Sequence, residues 1–259
     1  MKKLALLISI FLVSNLQSQK KELRQVDKLI TQSFFEEANS ELNNIESLVL
    51  SSEDKNKALF YFYKSRVSNE LENFEDAINS YKNLMSINPS EYSSKIEAEI
   101  DFLKDQIETS IVNSAVADNQ NENYSDASVK LFMAYNLNKD KNKDYLYYAA
   151  GSAVNSRDYE KALEHYLELK NMNYTGIINE YFVTNNETGI EEKVSESEYN
   201  LLEKSKDYSN PRIGKTESRY PEIVKNIALI YVQQGKNEVA IQAITEARNF
   251  QPDDTSLIL

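Results

Sequence analysis

The single histidine is the first residue to consider for chemistry, because histidine can serve as a general base, a metal ligand or a triad member. His165 follows Glu164, and Glu168 lies about one helical turn further on. A zinc site needs three or four strong ligands, and the chain has no cysteine and no second histidine to complete one. A serine or cysteine triad would depend on His165 alone. We therefore predict a surface histidine on a helix, and neither a metal centre nor a catalytic centre.

Acidic pairs are the second candidate for chemistry. Glu36-Glu37 and Asp253-Asp254 each place two carboxyl groups side by side. Such pairs do acid–base work only in a cleft that raises the pKa of one member, and a helix start or an exposed helix face explains both. The sequence has no glycine-rich phosphate loop and no zinc-protease helix. We predict no enzymatic activity and no cofactor; the alternative is a hydrolytic site that uses Glu187 or Glu191.

The composition restricts the class of partner. The chain has 259 residues with 29 basic and 41 acidic side chains, a formal net charge of −12. Nucleic-acid binding needs a basic surface, so we predict no nucleic-acid partner. Arg212, Lys215 and Arg219 follow Asn210-Pro211 in a segment that we predict to be a loop. In such a loop the three side chains are either solvated or bind an acidic partner.

Residues 1–18 have the pattern of a secretory signal peptide. Two lysines precede the apolar run from Leu4 to Val13, which is too short to cross a bilayer as a helix. Polar and small residues follow, and we expect cleavage near Ser18. This segment predicts export across the inner membrane and a periplasmic location. Membrane association is expected only if the segment stays uncleaved.

The stretch from Pro221 to Pro252 indicates which elements position the remaining side chains. Apolar residues and Ala228 recur at helical spacing, Gly235 interrupts them, and a second helical pattern starts at Ala240. Small residues are expected where two antiparallel helices cross, and glycine accepts the positive φ at a helix end. The pattern resembles one tetratricopeptide (TPR) repeat.

The same pattern recurs through the chain and divides it. We predict four TPR-like units in residues 19–174, an insert in residues 175–220, and a final repeat in residues 221–259. In the second unit Asn73 takes the place of the turn glycine, since asparagine also accepts left-handed geometry. Ser90 to Val116 carries apolar residues every three to four positions without a breaker, which predicts one long helix. The last repeat is expected to lack its capping helix.

The insert has a different pattern from the repeats. Two β-prone runs, Ile177 to Val183 and Ile190 to Val194, flank a polar link that ends in glycine, which predicts a β-hairpin. Ser195 and Glu198 form a capping box for a short helix. The predicted fold class is therefore all-α: a TPR-type α-solenoid of antiparallel helix pairs, with a small β-hairpin-plus-helix insert before the last repeat.

Three segments carry a closer resemblance, namely residues 173–177, 185–189 and 221–231. They resemble secreted TPR proteins of the type common in Bacteroidetes. The resemblance implies an envelope location, no catalytic residues, and a concave face lined by the first helix of each repeat. The implied partner contacts are Phe62, Arg66, Asn69, Val112, Asn119, Gln120, Tyr147, Asn155, Lys225, Leu229 and Gln233.

These observations favour one function and leave one alternative from another class. The favoured function is a non-catalytic scaffold of the cell envelope, which binds a peptide or protein segment on the concave face of the TPR array. The alternative is a structural or assembly subunit that associates through the uncapped C-terminal repeat. Neither prediction identifies the partner beyond a protein or peptide.

Overall fold

The computed structural model describes residues 20–250. The chain forms two compact units that divide between Asn138 and Lys139. The predicted signal peptide, and with it Pro252 and the pair Asp253-Asp254, lie outside the described residues. Each unit is built from consecutive helices joined by short turns, as a sequence with few glycines and prolines favours.

Between residues 20 and 138, unit 1 consists of α-helices and one short 3₁₀ turn at Pro89–Glu91. Its helices are α1 (residues 20–31), α2 (Phe35–Leu50), α3 (Asp54–Glu70), α4 (Phe74–Met85), α5 (Ser94–Gln120) and α6 (Tyr124–Leu137). Helix α3 packs on α4, and α5 packs on α6. Short turns make the partners in each pair antiparallel. The predicted long helix is confirmed as α5, which has 27 residues and begins after Ser93, whose hydroxyl accepts from Ile96 N–H.

Unit 2 contains two further helix pairs with a small sheet between them in sequence. Its elements are α7 (Lys143–Asn155), α8 (Tyr159–Asn171), β1 (Asn179–Asn185), β2 (Glu191–Val194), α9 (Glu196–Leu202), β3 (Tyr208–Lys215), α10 (Tyr220–Gln233) and α11 (Asn237–Phe250). Helix α7 packs on α8, and α10 packs on both α8 and α11.

Alanine marks the close helix crossings in both units. The alanines predicted at matching positions of the repeats are fully buried: Ala77, Ala127, Ala162, Ala228 and Ala240. A methyl group lets helix backbones approach, and larger apolar side chains fill the grooves on either side. The predicted fold class of TPR-type antiparallel helix pairs is therefore confirmed.

One turn geometry ends the first helix of each pair. In unit 1, Glu72 has φ of 57° and Asn73 N–H donates to Ser68 O at 2.8 Å, the hydrogen bond of a Schellman motif. The prediction that Asn73 takes the left-handed conformation was wrong by one position, since its φ is −82°. Gly235 has the predicted positive φ of 74°. Equivalent positive-φ residues end other helices: Ser33, Glu122, Arg157 and Asn173.

The insert confirms the predicted hairpin and short helix and adds a strand. Strand β1 pairs with β2 on one side and with β3 on the other, both antiparallel. Ser195 and Glu198 form the predicted capping box. The loop predicted for Arg212 and Lys215 was wrong, because both lie in β3. Pro211 is tolerated there since β3 is an edge strand, and Asn210 has a positive φ of 48°.

Candidate functional site

A groove in unit 1 combines open space with polar side chains, and we call it the α3–α5 groove. Its volume is about 560 Å³. The long helix α5 contributes five small or polar residues at helical spacing, which places them on one face. The groove is lined by Asn69, Glu70, Glu72, Phe74, Ser110, Asn113, Ser114, Ala117, Asp118 and Lys130.

Asn69 is the buried polar residue of this groove. Its side chain is 7% exposed, and Nδ2 donates to Ser110 Oγ at 3.1 Å. The Oδ1 atom has no hydrogen-bond partner among residues 20–250. A buried acceptor without a donor costs about 1–3 kcal/mol. Asn69 therefore brings a buried acceptor without a donor to the wall of the groove that it lines.

Lys130 is held within the groove by its neighbours. The Nζ atom lies 2.6 Å from Asp118 Oδ2 and 2.9 Å from Ser114 Oγ. The Ser114 hydroxyl in turn lies 3.4 Å from Glu72 Oε2. These contacts join α5 and α6 with the turn between α3 and α4. The charge of Lys130 is therefore matched by a carboxylate of the same groove.

A second groove, the α4–α6 groove, adjoins the first, because Glu72, Phe74 and Lys130 line both. It has a volume of about 400 Å³. Its polar lining is mostly acidic, and Val129 and Met133 provide apolar surface. The remaining lining residues are Asn73, Glu75, Asp76 and Asp126. The two grooves together form an acidic surface at the junction of two helix pairs.

The predicted partner contacts on α3 differ in how accessible their side chains are. Asn69 lines the α3–α5 groove as described, whereas Phe62 is only 1% exposed and packs in the core. Arg66 is half-buried, and its Nη1 lies 3.3 Å from Glu99 Oε2. Burial within the core prevents Phe62 from presenting its ring to a partner. Arg66 is accessible but already has a carboxylate partner.

Further along the same face, a buried tyrosine meets an ion pair. Lys95 pairs with Asp27 and also lies over the Tyr63 ring, 5.3 Å from its centroid. Burial raises the pKa of the Tyr63 phenol well above its usual value, and the charge of Asp27 raises it further. This phenol remains protonated throughout the physiological range.

The predicted contacts on α5 lie outside the lining of the α3–α5 groove. Val112 and Asn119 are half-buried and Gln120 is exposed. The residues of this helix that line the groove are Ser110, Asn113, Ser114, Ala117 and Asp118. The missed signal is the run of small and polar residues at three- and four-residue spacing. The buried positions Ile107, Ile111 and Ala115 fix the phase of the helix.

In unit 2 the predicted contacts lie on α7 and α10. Lys225, Leu229 and Gln233 recur every four residues and are exposed, so they form a stripe on α10. Asn155 is exposed at the end of α7. Tyr147 is half-buried, and its hydroxyl donates to Glu222 Oε2 at 2.7 Å. This bond brings Tyr147 beside the first turn of α10. The partner-binding role of the whole predicted set stays a prediction.

Arg219 is the centre of a side-chain cluster, which we call the Arg219 cluster. The guanidinium carbon lies 4.6 Å from the Tyr147 ring centroid and 5.2 Å from that of Tyr148. Its Nη2 donates to Tyr148 Oη at 3.1 Å and its Nη1 to Tyr174 Oη at 3.4 Å. Nη1 also lies 3.6 Å from Asp144 Oδ1, which accepts a hydrogen bond from Tyr174.

The Arg219 cluster leaves no room for a side chain at Gly176. Gly176 has φ of 57°, and a Cβ built there would lie 2.7 Å from Arg219 Cδ and 2.8 Å from Tyr174 Oη. Burial raises the pKa of Tyr174 above its usual range, and its hydrogen bond to Asp144 adds to the effect. Arg219 was predicted to lie in a loop; it stands at the N-cap of α10. The cluster joins α7, residues 174–176 and α10.

His165 is not the surface residue that the sequence predicted. It is 1% exposed in α8, and burial lowers the pKa of its imidazole. The buried face of α8 also carries Ala162, Tyr166 and Leu169, so His165 shares the phase of the core. The glutamates on either side suggested an exposed stretch. The helical phase relative to Ala162 was the more informative signal.

Residues 20–250 contain neither a metal-binding cluster nor a membrane-spanning helix. No group of three or more acidic or histidine side chains in that range could hold a metal ion. None of the helices there combines the length and the apolarity that a bilayer crossing needs.

Known proteins provide a comparison for the architecture. The chain is similar to YrrB, described as a TPR protein with an unusual peptide-binding site, at 13% identity and a TM-score of 0.32, covering 91% of this chain and 88% of that one. The pilus biogenesis factor PilW gives 10% identity and a TM-score of 0.35, covering 93% and 97%. The TPR domain of P58(IPK) gives 12% and 0.40, covering 93% and 62%.

Comparison by sequence adds no relative. No family model matches the chain, and no curated protein sequence matches it. The fold assignment therefore rests on the helix pairs themselves.

Proposed function

We propose that the protein is a non-catalytic interaction scaffold that binds an extended segment of a partner protein, with the α3–α5 groove as its binding site. The single observation that supports this most is the groove lined by amide and hydroxyl side chains, with a buried amide oxygen that has no donor in the described part of the chain. Helix pairs hold this lining rigidly, because α3 and α5 pack on each other.

An extended peptide suits this lining for a physical reason. Its backbone presents alternating N–H donors and C=O acceptors about 3.3 Å apart, and an asparagine side chain can engage one of each. Asn113 is exposed on the α5 face of the groove, and Ser114 is half-buried beside it. Val129 and Met133 in the adjoining groove offer apolar contacts for partner side chains.

Selection from an unbiased displayed peptide library, with the full chain as bait, tests the proposal. We expect enriched peptides whose affinity falls about fivefold in Asn113→Ala, because one net hydrogen bond to the peptide is lost. Asn79→Ala is the matched control, since Asn79 is likewise an exposed helical asparagine, on α4. Equal affinities for the two variants, or no enriched peptide, would remove the groove as the binding site.

We also propose export to the periplasm, on the basis of the charged and apolar pattern of residues 1–18. Cell fractionation with N-terminal sequencing of the recovered protein tests this directly. A periplasmic protein that begins near residue 19 is the expected result. Recovery from the cytoplasm with residues 1–18 still present would contradict it.

Self-association is the second candidate function, and one observation favours it. Helix α11 exposes Val239 by 42% and Ile241 by 60%, and neighbouring α10 exposes Leu229 by 46%. Burying such side chains against a second copy would contribute about 1–2 kcal/mol each. Sedimentation over a wide concentration range tests it, because a monomer at every concentration contradicts an assembly subunit.

A further inference from the structure

Carboxylates outnumber cations in the two adjoining grooves of unit 1. Six lining side chains are acidic and one, Lys130, is basic. The charge of Lys130 is matched by Asp118. The other five acids form no ion pair with any residue between 20 and 250: Glu70, Glu72, Glu75, Asp76 and Asp126.

Asn69 independently indicates that the grooves contain more hydrogen-bond acceptors than donors. Its side chain is more than nine-tenths buried where it lines the α3–α5 groove, and Oδ1 has no donor within the described chain. An amide oxygen and a carboxylate are both acceptors, and neither offers a proton. The surface therefore has an excess of acceptors, and an occupant that complements it must be rich in donors.

The acids are arranged for several cationic groups, not for one ion. No three of them, nor any other such group in residues 20–250, could hold a metal ion. Lysine ammonium and arginine guanidinium groups are donors only and carry positive charge. We infer that the partner segment in these grooves is basic, with several lysine or arginine side chains along an extended backbone. This inference rests on the proposed function and specifies its partner.

The charge of the chain also disfavours an anionic partner. The chain carries a net charge of −12, so a phosphorylated peptide or an anionic lipid surface meets repulsion at these grooves. A basic segment gains attraction from five carboxylates, and that attraction weakens with salt, because exposed charges are screened over about 10 Å at 0.1 M. Salt dependence of the affinity is therefore part of the prediction.

The first experiment measures binding of short fluorescein-labelled peptides to the full chain by fluorescence polarisation. The basic probe has lysine at every third position with serine and alanine between. Its two controls have every lysine acetylated, or every lysine replaced by glutamate. We expect binding of the basic probe alone, with affinity that falls as sodium chloride increases. Spermine should compete only weakly, because it has no backbone for the amide side chains; equal competition would overturn the peptide assignment.

The second experiment locates the binding with variants that change charge and little else. The triple variant Glu75→Gln, Asp76→Asn and Asp126→Asn removes three exposed carboxylates of the α4–α6 groove. We expect it to weaken the basic probe about tenfold. The control variant Glu36→Gln, Glu37→Gln and Glu97→Gln removes three exposed carboxylates on α2 and α5 that line neither groove. It should bind like the unaltered chain.

The outcomes separate the two proposals. Equal loss in both triple variants means that net charge alone attracts the probe, which overturns the basic-segment assignment. If the library instead yields neutral or acidic peptides that lose affinity in Asn113→Ala, the scaffold function stands and the basic partner is wrong. If no peptide depends on Asn113 or on the three acids, both proposals fail. Far-ultraviolet circular dichroism of each variant confirms that the helices are retained.

Discussion

The Arg219 cluster of unit 2 and the α3–α5 groove of unit 1 both hold polar side chains at a junction of helices. They differ in the balance between hydrogen-bond donors and acceptors. In the cluster, the Arg219 guanidinium faces Asp144 and three tyrosines, and Tyr147 donates to Glu222. In the groove, Asn69 Oδ1 has no donor within the described residues. A balanced cluster stabilises its own unit, whereas an excess of acceptors is suited to a partner.

The difference has an energetic basis. Donors and acceptors that meet inside a protein contribute about 1 kcal/mol each, and an isolated buried one costs more than that. Substituting one member of the cluster should therefore destabilise unit 2, because its former partners become buried polar groups without a hydrogen bond. The groove tolerates substitution of its lining in the absence of a partner. Mutations in the two regions should separate stability from binding.

The largest expected effect follows from adding a methyl group to the cluster. Gly176→Ala places a Cβ within 3 Å of Arg219 Cδ and Tyr174 Oη, at a backbone φ of 57° that alanine adopts with strain. We expect a loss of about 2–4 kcal/mol in the stability of unit 2. Hydrogen exchange of peptides from α7 and α10, followed in the full chain, measures this loss.

Gly189→Ala is the control for backbone strain. Gly189 has φ of 69° in the hairpin link, and a Cβ there meets no atom of residues 20–250 within 4 Å. It should cost only about 1 kcal/mol, the strain without the collision. If the two alanine variants lose the same stability, Arg219 and Tyr174 move aside freely, and the cluster is looser than its contacts indicate.

A smaller effect is expected when the cation is kept and its shape is changed. Arg219→Lys retains the positive charge near Asp144 but loses the planar stacking on Tyr147 and the hydrogen bond to Tyr148. We expect unit 2 to lose about 1–2 kcal/mol, since lysine has neither the planar group nor the fork of donors. Calorimetry of the full chain should show this in the transition assigned to unit 2.

In contrast, Arg66→Lys in unit 1 should change stability little. Arg66 makes one ion pair, with Glu99, and both side chains are partly solvated. Such pairs contribute about 0–1 kcal/mol. A loss as large as that of Arg219→Lys would show that charge alone, and not the aromatic surroundings, decides the stability of both regions.

The third effect depends on pH and concerns the buried histidine of unit 2. Burial lowers the pKa of His165, and the nearby charges of Glu164, Glu168, Lys161 and Asp158 modify it. Unfolding restores the usual pKa near 6.5, so the unfolded chain binds the proton more readily. Stability should therefore decline as pH falls below about 6.5, by at most 1.4 kcal/mol per pH unit from this group.

His165→Gln removes the titration and keeps a polar side chain. The difference in unfolding free energy between His165→Gln and the unaltered chain, measured from pH 7.5 to 5, isolates the histidine from the carboxylates common to both. We expect the difference to favour the variant increasingly as pH falls. A difference that stays constant with pH would mean that the histidine titrates alike in the folded and unfolded chains.

The sequence predicted the helix pairs because their buried alanines and apolar residues follow a strong periodic pattern. Ala127 and Ala162 are fully buried, as their one-repeat spacing predicts. Strand β3 was missed because Asn210-Pro211 has the composition of a turn, and only its pairing with β1 across a register shift makes it a strand. That pairing is non-local, so neighbouring residues do not reveal it.

The sites were less predictable than the fold. Spacing within a repeat selected Asn69 and Tyr147, but it also selected Phe62, which is buried. Side-chain exposure depends on the neighbouring helix pair, which the spacing within one repeat does not specify. The Arg219 cluster combines residues from α7, the start of the insert and α10, which lie up to 78 positions apart in sequence, from Asp144 to Glu222. No local pattern brings them together.

The smallest loss of stability is expected from substituting Asn69. A large loss would show that the polar groups of the groove are as fully paired as those of the Arg219 cluster. Asn69→Leu removes the amide whose oxygen lacks a donor, so the loss of its bond to Ser110 is offset and stability should change by less than about 0.5 kcal/mol. Ser65→Ala, on the same helix, should cost about 1 kcal/mol, because Ser65 Oγ donates to Ala77 O at 2.8 Å in the core. Urea unfolding followed by hydrogen exchange in α3 compares the two. A loss above about 1.5 kcal/mol for Asn69→Leu would mean that its oxygen has a donor in solution, and Asn69 would then no longer indicate an excess of acceptors at the groove.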